Sequence, residues 1–297
     1  MSGFLHQIGE VLETIKFQHS VFALPFALTA TLLALRGMDI PGPDLAWKLV
    51  WIIVAMVAAR SAAMAFNRLT DAPIDALNPR TARRALPAGT LSKRFAAAFV
   101  AVSAALLVIA AWQLNPLCLK LSPFALALAL GYSYTKRFTV LSHMVLGAVL
   151  GVAPAAAWIA VRGTLEPMIL LLTAAVTLWT AGFDIIYSCQ DVAFDRGAGL
   201  HSIPARFGIA RALVVSRLLH VGMVFCLVAM WLNMGLGLLA LFGVAVVAGL
   251  LAYEQSLVRA DDLSRVDAAF FTVNGWVSVL FFAFWAVDLW LPLRFPA

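Results

Sequence analysis

The chain has 297 residues, 63% of them hydrophobic and only 12% charged, with a net charge of +6 and a mean hydropathy of +0.94. Nine Trp and 20 Phe in so apolar a chain exclude an ordinary soluble protein. The positive excess has a membrane-topology reading and is no nucleic-acid signature.

Residues 1–16 contain Glu10 and Glu13 and lack an apolar stretch before the first long run, so no cleavable signal peptide is expected. Phe4, Leu5, Ile8, Val11, Leu12 and Ile15 recur at helical spacing, which predicts a short amphipathic helix on the membrane interface. Nine apolar runs follow, near 20–36, 47–66, 95–113, 116–134, 142–161, 167–187, 211–231, 236–254 and 268–290. Each approaches the ~20 residues needed to cross a hydrocarbon core as a helix. Continuous rather than alternating runs argue against an outer-membrane barrel. The expectation is an all-α, polytopic membrane bundle of about nine transmembrane helices around a central cavity opening to the cytoplasmic side, forming a single domain over 1–297.

Orientation follows from the cations. Lys16, six Lys and Arg in 67–94, Lys136, Arg137, Arg196, Arg206, Arg211, Arg259 and Arg265 share the side of the N-terminus, fourteen in all. Five (Arg36, Lys48, Lys120, Arg162 and Arg294) lie opposite. The N-terminus and the charged loops 67–94 and 188–210 are therefore expected to face the cytoplasm, in a bacterial-type inner membrane. Cys118, Cys189 and Cys226 form no C-x-x-C pair and lie in or beside apolar runs, which reads as buried thiols. His201 has no partner at zinc-ligand spacing.

The first charged loop, "NRLTDAPIDALNPRTARRALPAGTLSKR", opens with Asn67, Asp71 and Asp75 at i, i+4 and i+8. On a continuing helix they stack along one face, although Pro73 must kink the helix or mark a new start. At the end of the sixth run stands "GFDIIYSCQDVAFDRGAGLHSIPARFG", with Asp184, Asp191 and Asp195. In helical projection Asp184 lies within about 20° of each of the other two. An unpaired carboxylate at its depth would cost at least ~2.5 kcal/mol. Each motif has a D-x-x-x-D, then Arg residues, then a Pro-Ala, a weak internal repeat of two halves meeting around one cavity.

Hard oxygen donors in two sets suit Mg²⁺, which takes one or two carboxylates plus phosphate oxygens. Two or three such ions could bridge one diphosphate, with Arg68, Arg80, Arg84, Lys136, Arg137 and Arg206 available to the remaining oxygens. In a membrane protein this points to a lipid diphosphate. Intramembrane carboxylates and Pro-interrupted spans also fit a secondary transporter, although transporters place such groups near the midplane. Tyr134 and Tyr187 lie where interfacial tyrosines are ordinary. Asn274 in the ninth run has a reading as interhelical glue.

The pattern N-x-x-x-D-x-x-x-D, then R-T-x-x-R-x-L-P, carried by Asn67, Asp71, Asp75, Arg80, Thr81, Arg84, Leu86 and Pro87, resembles the first signature of the UbiA superfamily of intramembrane aromatic prenyltransferases. Asp184, Tyr187, Asp191 and Asp195 match the second, and "YSYTKRFT" resembles the family's segment after the fourth span. The resemblance implies catalytic carboxylates at Asp71, Asp75, Asp184, Asp191 and Asp195, and Mg²⁺ held by all of these but Asp184, with Asn67 assisting. It implies ionisation of a polyprenyl diphosphate and attack by an electron-rich aromatic acid on the prenyl C1. His19, Tyr134, Tyr187 and Asn274 are the acceptor-side candidates. Arg68 stands where the common signature has a second acid, and His19 where many members have Lys or Arg. "ALNPRT" and "GLHSIPARFG" resemble a 4-hydroxybenzoate polyprenyltransferase-like branch, some of whose members prenylate 1,4-dihydroxy-6-naphthoate on the way to menaquinone. Other member reactions, haem prenylation and prenyl diphosphate hydrolysis, are the enzymatic alternatives. The expected partners are these substrates and membrane lipid, with no nucleic acid and no obligate protein partner.

Overall fold

A computed structural model describes residues 7, 9–11 and 22–291. Twelve α-helices occur among them: α1 (Leu24–Leu35), α2 (Gly42–Asp75), α3 (Ala85–Ala88), α4 (Lys93–Leu114), α5 (Pro116–Thr135), α6 (Ser142–Arg162), α7 (Ile169–Ser188), α8 (Val192–Gly197), α9 (Ile203–Phe207), α10 (Ile209–Met234), α11 (Leu238–Leu257) and α12 (Asn274–Trp290). A 3-10 turn (Cys189–Asp191) continues α7 into α8, and a π-helical turn (Ala268–Val273) leads into α12. Eight helical stretches are long and apolar enough to cross a membrane, and α1 is a shorter apolar helix. The protein is thus an all-helical, multi-pass membrane protein. The chain divides into two compact units, 1–20 with 45–134 and 21–44 with 135–297.

In the first unit, α2 is the element that matters for chemistry. Its 34 residues extend about 51 Å at 1.5 Å per residue, well beyond a hydrocarbon core of roughly 30 Å. The helix therefore crosses and still carries its last turns past the apolar layer. It runs through Pro73 to Asp75, so neither a new start nor a break occurs there. Ala65 and Ala72 on its inner face pack with Val11, Leu86, Leu91, Ala96 and Val100. The stretch after α2 that reads as a loop turns back through α3 to Ser92, whose hydroxyl caps α4 by accepting the Phe95 N–H at 3.1 Å. Most of the expected interfacial helix 1–16 lies outside the described residues. Gln7 and Glu10 are helical and hold the same turn: the Gln7 amide donates to Thr90 O at 2.8 Å and Thr90 Oγ donates to Glu10 at 2.7 Å.

In the second unit α6 and α7 pack closely against each other. A Cβ on Gly147 would meet the Thr177 carbonyl, and one on Gly151 would meet the Thr177 hydroxyl. This small-xxx-small pair lets the two backbones approach where hydrophobicity gives no preference for helix over lipid. Helices α1 and α10 also pack on this pair, and α11 packs on α12. Rings fill the centre: Phe26 meets Trp179 at 5.0 Å and Phe281 at 4.8 Å, and Trp179 meets Phe183 at 5.0 Å. Asp288 near the end of α12 is 1% exposed. It caps α11, accepting the N–H groups of Gly237 at 2.7 Å and Ala240 at 3.1 Å.

Candidate functional site

The first motif occupies the last turns of α2. Asn67, Asp71 and Asp75 lie on one continuous helix, so the i, i+4, i+8 spacing does stack them on one face. Asp71 and Asp75 are 3% and 6% exposed. The Asn67 amide N–H donates to Asp71 Oδ2 at 3.1 Å, which uses the nitrogen end and not the amide oxygen that a Mg²⁺ would take. Arg84 lies at the N-cap of α3, and its Nη1 reaches both Asp75 oxygens at 2.8 Å. Asp75 O accepts the Thr81 hydroxyl at 3.0 Å, closing the turn that brings Arg84 back. Arg68 follows Asn67 on α2, half-buried, and Arg80 is exposed in the turn. Tyr134 at the end of α5 packs edge-on to Phe66 at 5.9 Å.

The second motif begins inside α7 with Asp184 and passes through the 3-10 turn to Asp191 and then Asp195 in α8. What reads as a loop is thus mostly helical. All three carboxylates are half-buried. Asp195 Oδ2 accepts the Ser202 hydroxyl at 2.8 Å. Asp184 Oδ2 lies 2.7 Å from His143 Nδ1, a partner the sequence does not single out. The Tyr187 ring packs at a tilt against Phe270, 4.3 Å between centroids. The Lys136 carbonyl accepts the His201 N–H at 2.7 Å, which lays the segment before α6 along the one before α9. Arg137 and Arg206 are exposed near the two ends of that contact.

Two acceptor-side candidates fall elsewhere. His19 lies outside the described residues. Asn274 is fully buried and engaged at both ends: it accepts Trp179 Nε1–H at 2.6 Å and donates to Glu254 Oε1 at 2.9 Å. That is the geometry of glue between helices α7, α11 and α12.

Among the described residues no group of three or more His, Cys, Asp or Glu side chains converges to hold a metal. A transition-metal cage is not what these residues form. Carboxylates in pairs, with hard oxygens and arginine beside them, do fit Mg²⁺ bound jointly with phosphate oxygens.

Residues 23–289 match the UbiA prenyltransferase family. A 4-hydroxybenzoate octaprenyltransferase of Vibrio cholerae is 33% identical over 266 residues, covering 89% of this chain and 90% of that protein. The apo structure of a UbiA homolog from Aeropyrum pernix K1 is 37% identical with a TM-score of 0.82, over 92% of this chain and 98% of that one. A UbiA homolog from Archaeoglobus fulgidus, bound to DMAPP and Mg²⁺, shares the fold at a TM-score of 0.72 and 19% identity, over 95% and 99% of the two chains.

Proposed function

The chain belongs to the UbiA prenyltransferase family and is a prenyltransferase, and from that premise we propose that it moves a polyprenyl group from its diphosphate to a hydroxyaryl carboxylate of quinone biosynthesis. The acceptor is of the 4-hydroxybenzoate or 1,4-dihydroxy-6-naphthoate type. The observation that carries the reading is the pair of buried aspartates, Asp71 and Asp75, one turn apart at the end of a membrane-length helix. Relatives named 4-hydroxybenzoate octaprenyltransferase and a fold neighbour bound to DMAPP and Mg²⁺ support it. Family membership replaces the transporter reading.

Asp71, Asp75, Asp191 and Asp195, with Asn67 assisting, would hold two or three Mg²⁺, whose charge stabilises the diphosphate as it leaves. Arg68, Arg80, Arg84, Lys136, Arg137 and Arg206 serve the remaining phosphate oxygens. The allylic C–O bond breaks with its electron pair going to the diphosphate. A ring carbon bonds to the prenyl C1, and the ring then loses a proton. Asp184 is proposed as a further catalytic carboxylate that does not hold metal, with Tyr134 and Tyr187 as the ring contacts. Both units act as one domain, with motifs and N-terminus on the cytoplasmic face of a bacterial-type inner membrane.

The test presents purified protein in nanodiscs with Mg²⁺, farnesyl diphosphate and, in parallel, 4-hydroxybenzoate, 1,4-dihydroxy-6-naphthoate or 1,4-dihydroxy-2-naphthoate. Mass spectrometry is expected to find one ring gaining the prenyl mass. Absence of any prenylated ring would contradict the reading.

A further inference from the structure

The second motif contains a link that runs beyond its three carboxylates. His143, in the first turn of α6, is 4% exposed. Its Nδ1 lies 2.7 Å from Asp184 Oδ2 on α7. Its Nε2 accepts the backbone N–H of Ile203, the first residue of α9, at 3.3 Å. A ring nitrogen that accepts a backbone N–H carries no proton, so the proton of the neutral imidazole sits on Nδ1 and is donated to Asp184. One Asp184 oxygen is thereby fixed, while 22% of the side chain stays accessible.

The residue before Ile203 completes the link. Ser202 Oγ donates to Asp195 Oδ2 at 2.8 Å and accepts the Ala205 N–H at 3.3 Å, capping α9. This short helix is also held from α8, by Arg196 Nε donating to Ala205 O at 2.9 Å. Adjacent residues of one small helix therefore touch the ring that holds Asp184 and the carboxylate of Asp195. Loss of the ring would leave the Ile203 N–H and an Asp184 oxygen without these partners.

We infer that His143 is a positioning residue that orients Asp184 and, through Ser202–Ile203, couples that orientation to the placement of Asp195. The roles given to the two carboxylates rest on the prenyl-transfer reading; the tautomer and the coupling do not. Residues that orient reacting or ligating groups typically change activity or metal affinity by about 10–100-fold when removed.

The experiment uses the full chain in nanodiscs. In ¹⁵N-histidine spectra, the resonance lost in His143→Ala is expected to be that of a neutral, Nδ1-protonated ring, and to move in Asp184→Asn. Turnover of His143→Ala should fall about 10–100-fold with a higher Mg²⁺ requirement. His143→Asn keeps an N–H at the Nδ1 position but nothing at Nε2. It should recover most of the turnover and retain the altered Mg²⁺ requirement, a separation that loss of packing alone would not produce. An Nε2-protonated ring unaffected by Asp184→Asn would overturn the inference. So would His143→Ala with wild-type turnover and Mg²⁺ dependence. A wild-type protein that prenylates nothing would overturn the prenyl-transfer reading instead, and the spectra would still decide the tautomer and its link to Asp184.

Discussion

Arg84 places a single guanidinium nitrogen 2.8 Å from both carboxylate oxygens of Asp75. The two residues are nine positions apart, Asp75 ending α2 and Arg84 capping the start of α3, so the contact depends on the turn between them. Asp75 is 6% exposed, whereas the Arg84 side chain is 27% exposed. The pair therefore gives a buried carboxylate a charge-assisted partner at the rim of an apolar region while leaving the cation within reach of a second anion.

Arg84→Ala is predicted to destabilise the protein by about 1–3 kcal/mol, the range for a buried acceptor losing its partner, discounted for the exposure of the arginine. Thermal unfolding in detergent reads this as a lower midpoint, and turnover should fall with it. Wild-type stability together with wild-type turnover would contradict the assignment.

Asp71→Ala and Asp191→Ala are each predicted to lower turnover by at least about 10²-fold, the scale for losing a group that stabilises developing charge. Both should retain helical circular dichroism. If the two motifs serve one diphosphate, the double variant should be little worse than the poorer single, because groups acting as a unit are not additive. Additive losses would argue for separate roles.

Gly151→Val forces a side chain onto Thr177 and Thr173 of α7. Overpacking of this kind costs about 1–3 kcal/mol. The thermal midpoint should drop, and Gly249→Val is the control, because nothing lies within 4 Å of its Cβ position. Equal effects at the two positions would count against close approach of α6 and α7.

Asp288→Ala removes the acceptor for two N–H groups at the start of α11. A loss of about 1–3 kcal/mol is expected, with Mg²⁺ dependence unchanged. A shift in Mg²⁺ dependence without loss of stability would assign Asp288 a different role.

Much of this was legible in the sequence because it is local. The apolar runs located most long helices to within a few residues, although α2 continues to Asp75, well past the run that ends near residue 66, and four-residue spacing placed Asn67, Asp71 and Asp75 on one face. Pro73 left the end of that helix undecided, since a proline near a C-terminus can either break a helix or be tolerated. Asp184 was legible as a carboxylate inside an apolar run. Its partner was not: His143 lies 41 residues away on another helix, with no periodic signal to connect them. The charged stretches 67–94 and 188–210 read as loops because polar composition masks short helices such as α8 and α9. Ser202, followed by Pro204 at a first turn, is a helix-start signal that was present. Asp288 was equally visible as an acid in an apolar run. Asn274 read both as glue and as a ring contact, and only its two bound amide ends favour the first.

The most direct test of the central claim is the stoichiometry between pyrophosphate released and prenylated ring formed from farnesyl diphosphate and the accepted hydroxyaryl carboxylate, with Mg²⁺ and with EDTA. One ring prenylated per pyrophosphate, both lost in EDTA, is the predicted result. Pyrophosphate released without ring alkylation, or alkylation that survives EDTA, would contradict Mg²⁺-dependent prenyl transfer.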